Sequence, residues 1–270
     1  MRWKRKLAVL LTGACLAAGL QAGPATAIVG GQEAHPRTHR FMAGLVDLSE
    51  QRVFCGATLI SPSYLITAAH CLRGPNARAG NLAVLLGDHD YSTGADTPHA
   101  KLVPVHSITV HEDFDLTSGA NNIAVVTLSR AVERNEGIRE AHLPWKYASG
   151  AFDTIRVRAL GWGTLSFGGP VSTTLRSVVL DTMTNAECTN RGVRDLTSGS
   201  ICTHTPGRDT CQYDSGGPLI HQVDYDRPLV IGVISHGWGC ATDSPSVHTR
   251  VTSYLQWILR NTPGATYVAG

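Results

Sequence analysis

The chain has 270 residues, of which 43% are hydrophobic, enough apolar material for one sizeable core. Charged residues make up 16% and the net charge is only +2, so the basic footprint of a nucleic-acid binder is missing and no nucleic-acid partner is expected.

The first segment reads as an export leader. Arg2, Lys4, Arg5 and Lys6 form a positive start, Leu7 to Leu20 is apolar, and Ala25-Thr26-Ala27 fits a small-residue cleavage site. A membrane-spanning helix needs about 20 apolar residues; this run is shorter and is broken by Gln21, Gly23 and Pro24. Residues 1–27 are therefore assigned to a signal peptide, with no membrane attachment after its removal and a secreted product. Cleavage after Ala22 would leave a short propeptide instead. Cys15 follows Thr12-Gly13-Ala14, but the apolar run continues past it, which argues against lipidation. The leader carries four basic and no acidic residues, so the mature net charge falls from +2 to −2.

From Ile28 onward, short β-type runs alternate with turn residues: Ala57 to Ile60, Tyr64 to Ala68, Leu82 to Leu86, Ile123 to Leu128, Ile155 to Leu160, Val178 to Thr182 and Leu229 to Ser235. This spacing predicts an antiparallel sandwich or barrel. Gly74-Pro75, Gly168-Gly169-Pro170 and Thr205-Pro206-Gly207 read as loops. A helix is expected near the C-terminus, where Ser253 and Gln256 fit a capping box and Val251, Tyr254, Leu255, Ile258 and Leu259 recur at helical spacing. It is expected to pack on the second half of the fold.

Loss of Cys15 leaves Cys55, Cys71, Cys188, Cys202, Cys211 and Cys240. Six cysteines in an exported chain suggest three disulfides, for which counting alone allows fifteen pairings. No CxxC spacing supports metal binding.

Acyl transfer by a nucleophile needs an exposed hydroxyl, a base within hydrogen-bond reach and backbone donors aimed at the developing oxyanion. Asp214-Ser215-Gly216-Gly217-Pro218 puts a serine on a glycine-rich bend, and Thr67-Ala68-Ala69-His70-Cys71 puts a histidine just after a β-type run. Each is weak alone. Together with Ile28-Val29-Gly30-Gly31, Asn121-Asn122-Ile123-Ala124 and Gly161-Trp162-Gly163, in that order along the chain, they resemble the chymotrypsin/trypsin-like serine protease family throughout the mature length.

The resemblance implies an all-β fold of two six-stranded antiparallel β-barrels with a C-terminal α-helix. One protease domain would cover 28–270, with an N-terminal barrel over about 28–140, a C-terminal barrel over about 141–270 and the site between them. It implies the pairs Cys55 with Cys71, Cys188 with Cys202 and Cys211 with Cys240. It makes Ser215 the nucleophile and His70 the general base, with the amides of Ser215 and Tyr213 facing the oxyanion. Asp209 would floor a specificity pocket for Arg or Lys, walled by Ser235, Gly237 and Ser246. Three departures stand out: Ser246 where trypsin has Gly, His236 in place of the usual Trp, and Tyr213 in place of Gly. Tyr213 is expected to crowd the leaving-group side of the cleft.

The fourth departure is chemical. Relatives of equal length between Phe114 and Ile123 carry Asp immediately before the Ile; here that residue is Asn122, and Asp115 lies seven residues earlier in the loop. A carboxylate only accepts hydrogen bonds, whereas Asn offers one acceptor and two donors. If its oxygen serves the amides of Ala69 and His70, its NH₂ meets Nδ1 of His70 and leaves the proton on Nε2, where it blocks base catalysis. A trypsin-like endopeptidase of strongly reduced activity is expected, the alternative being an inactive homologue that binds proteins.

Maturation in this family pairs a new Ile amine with the acid before the serine, here Ile28 with Asp214. Ala27 rather than Arg or Lys precedes Ile28, so signal cleavage itself could release the amine. Asp88 and Asp90 follow Gly87 where the family has a calcium loop, which leaves a structural calcium as the alternative; two loop acids are more often simply solvated, so no cofactor or metal is assigned. Expected partners are protein or peptide substrates and protein protease inhibitors, acting on a monomer.

Overall fold

The computed structural model describes residues 28–74, 77–223 and 227–268; the leader with Cys15 and its cleavage motif, and Pro75, lie outside them. A two-residue strand β1 (Gln32–Glu33) precedes the first barrel, made of β2 (Met42–Asp47), β3 (Arg52–Ser61), β4 (Tyr64–Thr67), β5 (Leu82–Leu86), β6 (Lys101–Val110) and β7 (Ala124–Leu128). Their spatial order is β2-β3-β4-β7-β6-β5, closed by β5 on β2. The second barrel comprises β8 (Arg156–Gly161), β9 (Arg176–Met183), β10 (Ser200–Thr203), β11 (Pro218–Gln222), β12 (Pro228–His236) and β13 (Ser246–Arg250). Its order is β8-β9-β10-β13-β12-β11, closed by β11 on β8, with β1 added to β9 through Gln32↔Ser177. All pairings between these strands are antiparallel, and closure leaves each barrel without open edges.

Closure explains the sequence pattern. Every residue of β2 is buried, as are eight of ten in β3, so alternation is muted and apolar runs replace it. Leu45, Leu59, Ile66, Leu86 and Val126 fill the first core, and Val157, Val178, Leu180, Ile201, Leu219 and Ile231 the second. The register slips one residue in several ladders, including β12–β13 between Ile234 and His236. Such a bulge bends a strand and re-aims the extra side chain; here the extra residue is Ser235.

The three disulfides join Cys55–Cys71, Cys188–Cys202 and Cys211–Cys240, as the resemblance implies. Each closes a loop of 14 to 29 residues and stabilises the fold by about 3 kcal/mol. The C-terminal helix differs from expectation in two ways. A 3-10 turn, Val251–Tyr254, leads into α2 (Leu255–Arg260), which follows a short α1 (Asn185–Asn190). No capping box forms, because the Ser253 hydroxyl donates to the carbonyl of Ser198 instead. The helix also packs on the first barrel, not only the second half: Trp257 stacks on His111 and donates to Glu112 at 2.7 Å, while the Tyr254 hydroxyl donates to Asn121 at 2.9 Å. The reason is that Trp257, Leu255 and Ile258 are buried in the larger core cluster, which joins residues of both barrels, among them Leu59 and Val126 of the first and Ile220 and Val230 of the second.

Candidate active site

His70 sits in a 3-10 turn, Ala69–Leu72, directly after β4, and the Cys55–Cys71 link ties that turn to β3. Ser215 lies on the bend between β10 and β11. Its carbonyl accepts from the Gly56 amide at 2.7 Å, and Gly216 donates to the Ile234 carbonyl at 2.8 Å. Gly216 needs to be glycine: its φ is +82°, and a Cβ would come within 2.3 Å of the Gly56 carbonyl. Asn122 precedes β7, and the Thr249 hydroxyl of β13 donates to its carbonyl at 2.7 Å. The first barrel thus supplies His70 and Asn122, the second supplies Ser215, and cross-barrel bonds fix their alignment.

Asn122 is 3% exposed. Its Oδ1 accepts from the His70 amide at 3.0 Å, which sets the orientation of the side-chain amide. Of the two amides anticipated for that oxygen, His70 is the one that bonds. Nδ2 then lies 2.8 Å from His70 Nδ1 and donates to Ser235 Oγ at 2.7 Å. An NH₂ group has no lone pair to offer, so Nδ1 is the acceptor and the imidazole proton belongs on Nε2. Burial depresses the His70 pKa and nearby His236 lowers it further. The Ser215 hydroxyl donates to the Ser235 carbonyl over a long 3.4 Å.

A cleft of about 180 Å³ borders Ser215, with Thr210, Ser235, His236, Gly237 and Ser246 on its walls. Beneath it Asp209 is buried. One carboxylate oxygen accepts from the Thr210 amide at 2.8 Å; the other accepts from the Ala241 amide at 3.1 Å and from the Ser246 hydroxyl at 2.9 Å. Burial pushes the Asp209 pKa up, against these hydrogen bonds. Ser246 therefore occupies one face of the acid, and its Oγ lies 2.6 Å from where a Gly237 Cβ would stand. A larger cavity of about 440 Å³, lined by Arg37, Arg40, Arg139 and Arg158 among others, shares no residue with this cleft.

Tyr213 holds φ at +72°, a left-handed conformation costly for a residue with a Cβ. Its ring carries the Arg52 guanidinium 5.6 Å above the centroid, a contact that no local signal in the sequence announces. Asp214 is fully buried, accepts from the amides of Gly163 and Cys211 at 2.8 Å each, and is pushed up to about 7 by burial. Ile28 is buried in the second core, and the Val29 carbonyl accepts from the Asp209 amide at 3.1 Å. The segment from Ile28 is thereby docked beside the serine loop.

Cys55, His70 and Cys71 have donor atoms within 4.8 Å of one another, but both sulfurs are consumed by the disulfide. In the loop after β5, Asp88 and Asp90 do not face each other. Asp90 caps Ser92, while Asp88 and Asp96 both accept from the His89 amide, at 3.0 and 2.9 Å. Burial and the Asp96 carboxyl push Asp88 up to about 7. The Asp96 carboxylate also accepts from the Asp90 amide at 2.7 Å, so backbone amides of this loop serve both acids.

Comparison with known proteins follows the same lines. A family model described as Trypsin matches residues 28–258. A venom serine protease of Polistes dominula is 35% identical over 80% of this chain and 78% of its own length. Trypsin-1 of Astacus astacus is 34% identical over 77% of this chain and 87% of its own. Brachyurin of Leptuca pugilator is 36% identical over 87% of this chain and 98% of its own.

Proposed function

Because this chain belongs to the trypsin family of serine proteases, we propose that it is a secreted endopeptidase whose turnover is held far below the family's capacity by Asn122. Protein substrates follow from the family. The three disulfides fit an extracellular setting. We assign residues 1–27 to the signal peptide and 28–270 to one protease domain, acting as a monomer, whose barrels divide near residue 140 between β7 and β8.

In the proposed reaction, Ser215 Oγ attacks the peptide carbonyl carbon as His70 Nε2 takes its proton. The amides of Ser215 and Tyr213 hold the oxyanion. Collapse breaks the C–N bond, the proton passes to the leaving amine, and water then hydrolyses the acyl-serine by the same route. Asp209 at the pocket floor favours Arg or Lys, since a buried carboxylate gains most from an added cation. Release of the Ile28 amine would supply the cation that Asp214 lacks among the described residues.

One observation carries the reduced activity: Asn122 Nδ2 stands 2.8 Å from His70 Nδ1, with Oδ1 committed to the His70 amide. Nε2 then carries hydrogen and cannot accept the serine proton. The same Asp-to-Asn exchange in a family member lowers kcat about 10⁴-fold with geometry intact, roughly 5.4 kcal/mol of barrier. The same geometry also favours a second reading, an inactive homologue that binds proteins through the cleft.

Fluorophosphonate labelling and turnover of an arginine substrate, from about pH 6 to about pH 10, separate the readings. Asn122→Asp is expected to raise kcat by about 10⁴. Unchanged turnover would show that another residue orients His70, and no labelling of either form would favour the binding module.

A further inference from the structure

The contacts of Asn122 continue beyond the triad. Asn122 Nδ2 donates to Ser235 Oγ at 2.7 Å, and Ser235 Oγ lies 2.9 Å from His236 Nδ1. Together with the 2.8 Å contact to His70, this makes one unbroken line from the catalytic imidazole to the rim of the cleft. The bulge in β12 creates it, because Ser235 drops out of the β13 ladder and is free to face Asn122.

The line has a direction. Both hydrogens of the Asn122 amide are given away, one to His70 and one to Ser235. Ser235 therefore presents one lone pair to Asn122 and keeps its own hydrogen to give; in the first direction that hydrogen goes to His236, whose Nδ1 accepts it. Burial lowers the His236 pKa, which favours the neutral ring, and with Nδ1 accepting, the proton of that ring is on Nε2. The titratable groups that feel its charge are His70 and His248; the ring otherwise packs against Trp238 and the backbone at Gly119.

A second direction exists on the same atoms. If His236 carries its hydrogen on Nδ1, Ser235 accepts it and turns its hydroxyl toward residue 122. The amide can then rotate, with Oδ1 accepting from Ser235 and from His70 Nδ1–H, which frees His70 Nε2 as a base. What opposes this is the His70 amide, which would face Nδ2.

We propose that His236 is a positioning residue: its Nδ1, acting through the Ser235 hydroxyl, holds the Asn122 amide in the orientation that disables His70. This rests on the tautomer reading given under Proposed function. A carboxylate at 122 imposes the second direction, so the state of residue 122 is written onto the tautomer of His236.

The test is ¹⁵N NMR of the histidine rings in the chain beginning at Ile28, for the native sequence and for Asn122→Asp, joined to kinetics of His236→Phe in both backgrounds. In the native chain His236 Nδ1 is expected without hydrogen; in Asn122→Asp it is expected to carry one. His236→Phe removes the acceptor and is expected to raise kcat about fivefold in the native background, the population shift produced by one neutral hydrogen bond. With Asp at 122 the same change brings no rise. A merely structural role would shift both backgrounds alike, and that outcome overturns the proposal. So does a native His236 already protonated on Nδ1, or one tautomer shared by both forms. Should Asn122→Asp leave turnover unchanged, the reading of Asn122 fails on its own, while the NMR of the native chain still decides the role of His236.

Discussion

At position 122 an NH₂ replaces an oxygen, and the shape of the site is kept while a hydrogen bond reverses its direction. Under the proposed mechanism the cost is kinetic rather than structural, since Asn122 stays buried with its bonds made. The same proposal gives two neighbours a part in substrate handling. Ser246 donates to Asp209 at 2.9 Å, so an incoming guanidinium must compete with a hydroxyl. Ser246→Gly is expected to lower KM for an arginine substrate about tenfold with kcat little changed, as befits one hydrogen bond to a charged group; steady-state kinetics in the Asn122→Asp background would read it. Tyr213 stands on the oxyanion bend at φ +72° beneath Arg52. Tyr213→Gly relieves the backbone and removes the ring, so affinity for a protein protease inhibitor is expected to rise while turnover of a small ester stays the same. Titrating both forms with one inhibitor measures this. The identities of these residues, and the alarm at Asn122, were readable in the chain. The contacts with Ser235 and Arg52 were not, because they join residues 113 and 161 positions apart that no local pattern connects.

Among the elements, each of the seven runs read from the sequence falls on a strand, with Ala68, Ile123 and Ile155 standing one residue outside β4, β7 and β8. Those left unread have separate causes. Pro104 stands inside β6, whose burial does alternate from Leu102 to His106; β2 is buried throughout, and β13 (Ser246–Arg250) is buried yet largely polar, with the Thr249 hydroxyl bonded to the Asn122 carbonyl and His248 Nε2 to Thr203. Periodicity cannot find a strand whose both faces are covered. The terminal helix was found and does pack on the second half, but its contacts with the first barrel were not read, because its apolar stripe says that it packs and not on what. Its tie to the first barrel is Trp257, which stacks on His111 and bonds Glu112. Trp257→Ala is expected to cost about 4 kcal/mol and to lower Tm by about 10 °C, whereas Ser253→Ala, with no cap to lose, shifts Tm by about 1 °C or less. Thermal melts of the two variants give the comparison.

For the whole molecule the group to follow is Asp214, which under the proposed maturation couples the chain's start to Ser215. While Ile28 remains in peptide linkage, burial lifts the Asp214 pKa from 3.8 to about 7. A folded-state pKa raised above the unfolded value gives stability that is complete below about pH 4 and lost as pH rises through about 7. An Ile28 ammonium reverses the sign, since the cation drives the carboxyl back toward ionisation. The extended chain is therefore expected to lose stability between about pH 5 and about pH 7.5 relative to the form that begins at Ile28; parallel melts at those two values check it, and equal shifts would exclude the pair. The chain's own letters settled the family and, through that resemblance, the three cross-links, and they marked His70, Ser215 and Asn122 as the positions on which the proposed chemistry rests, since each is a matter of residue type at a motif position. Tertiary structure alone decided where the Asn122 amide points, what covers Asp209, what the helix packs on and that His236 is joined to His70. Those depend on hydrogen bonds between distant segments, and their direction is set only when two barrels close and bring the partners within about 3 Å of each other.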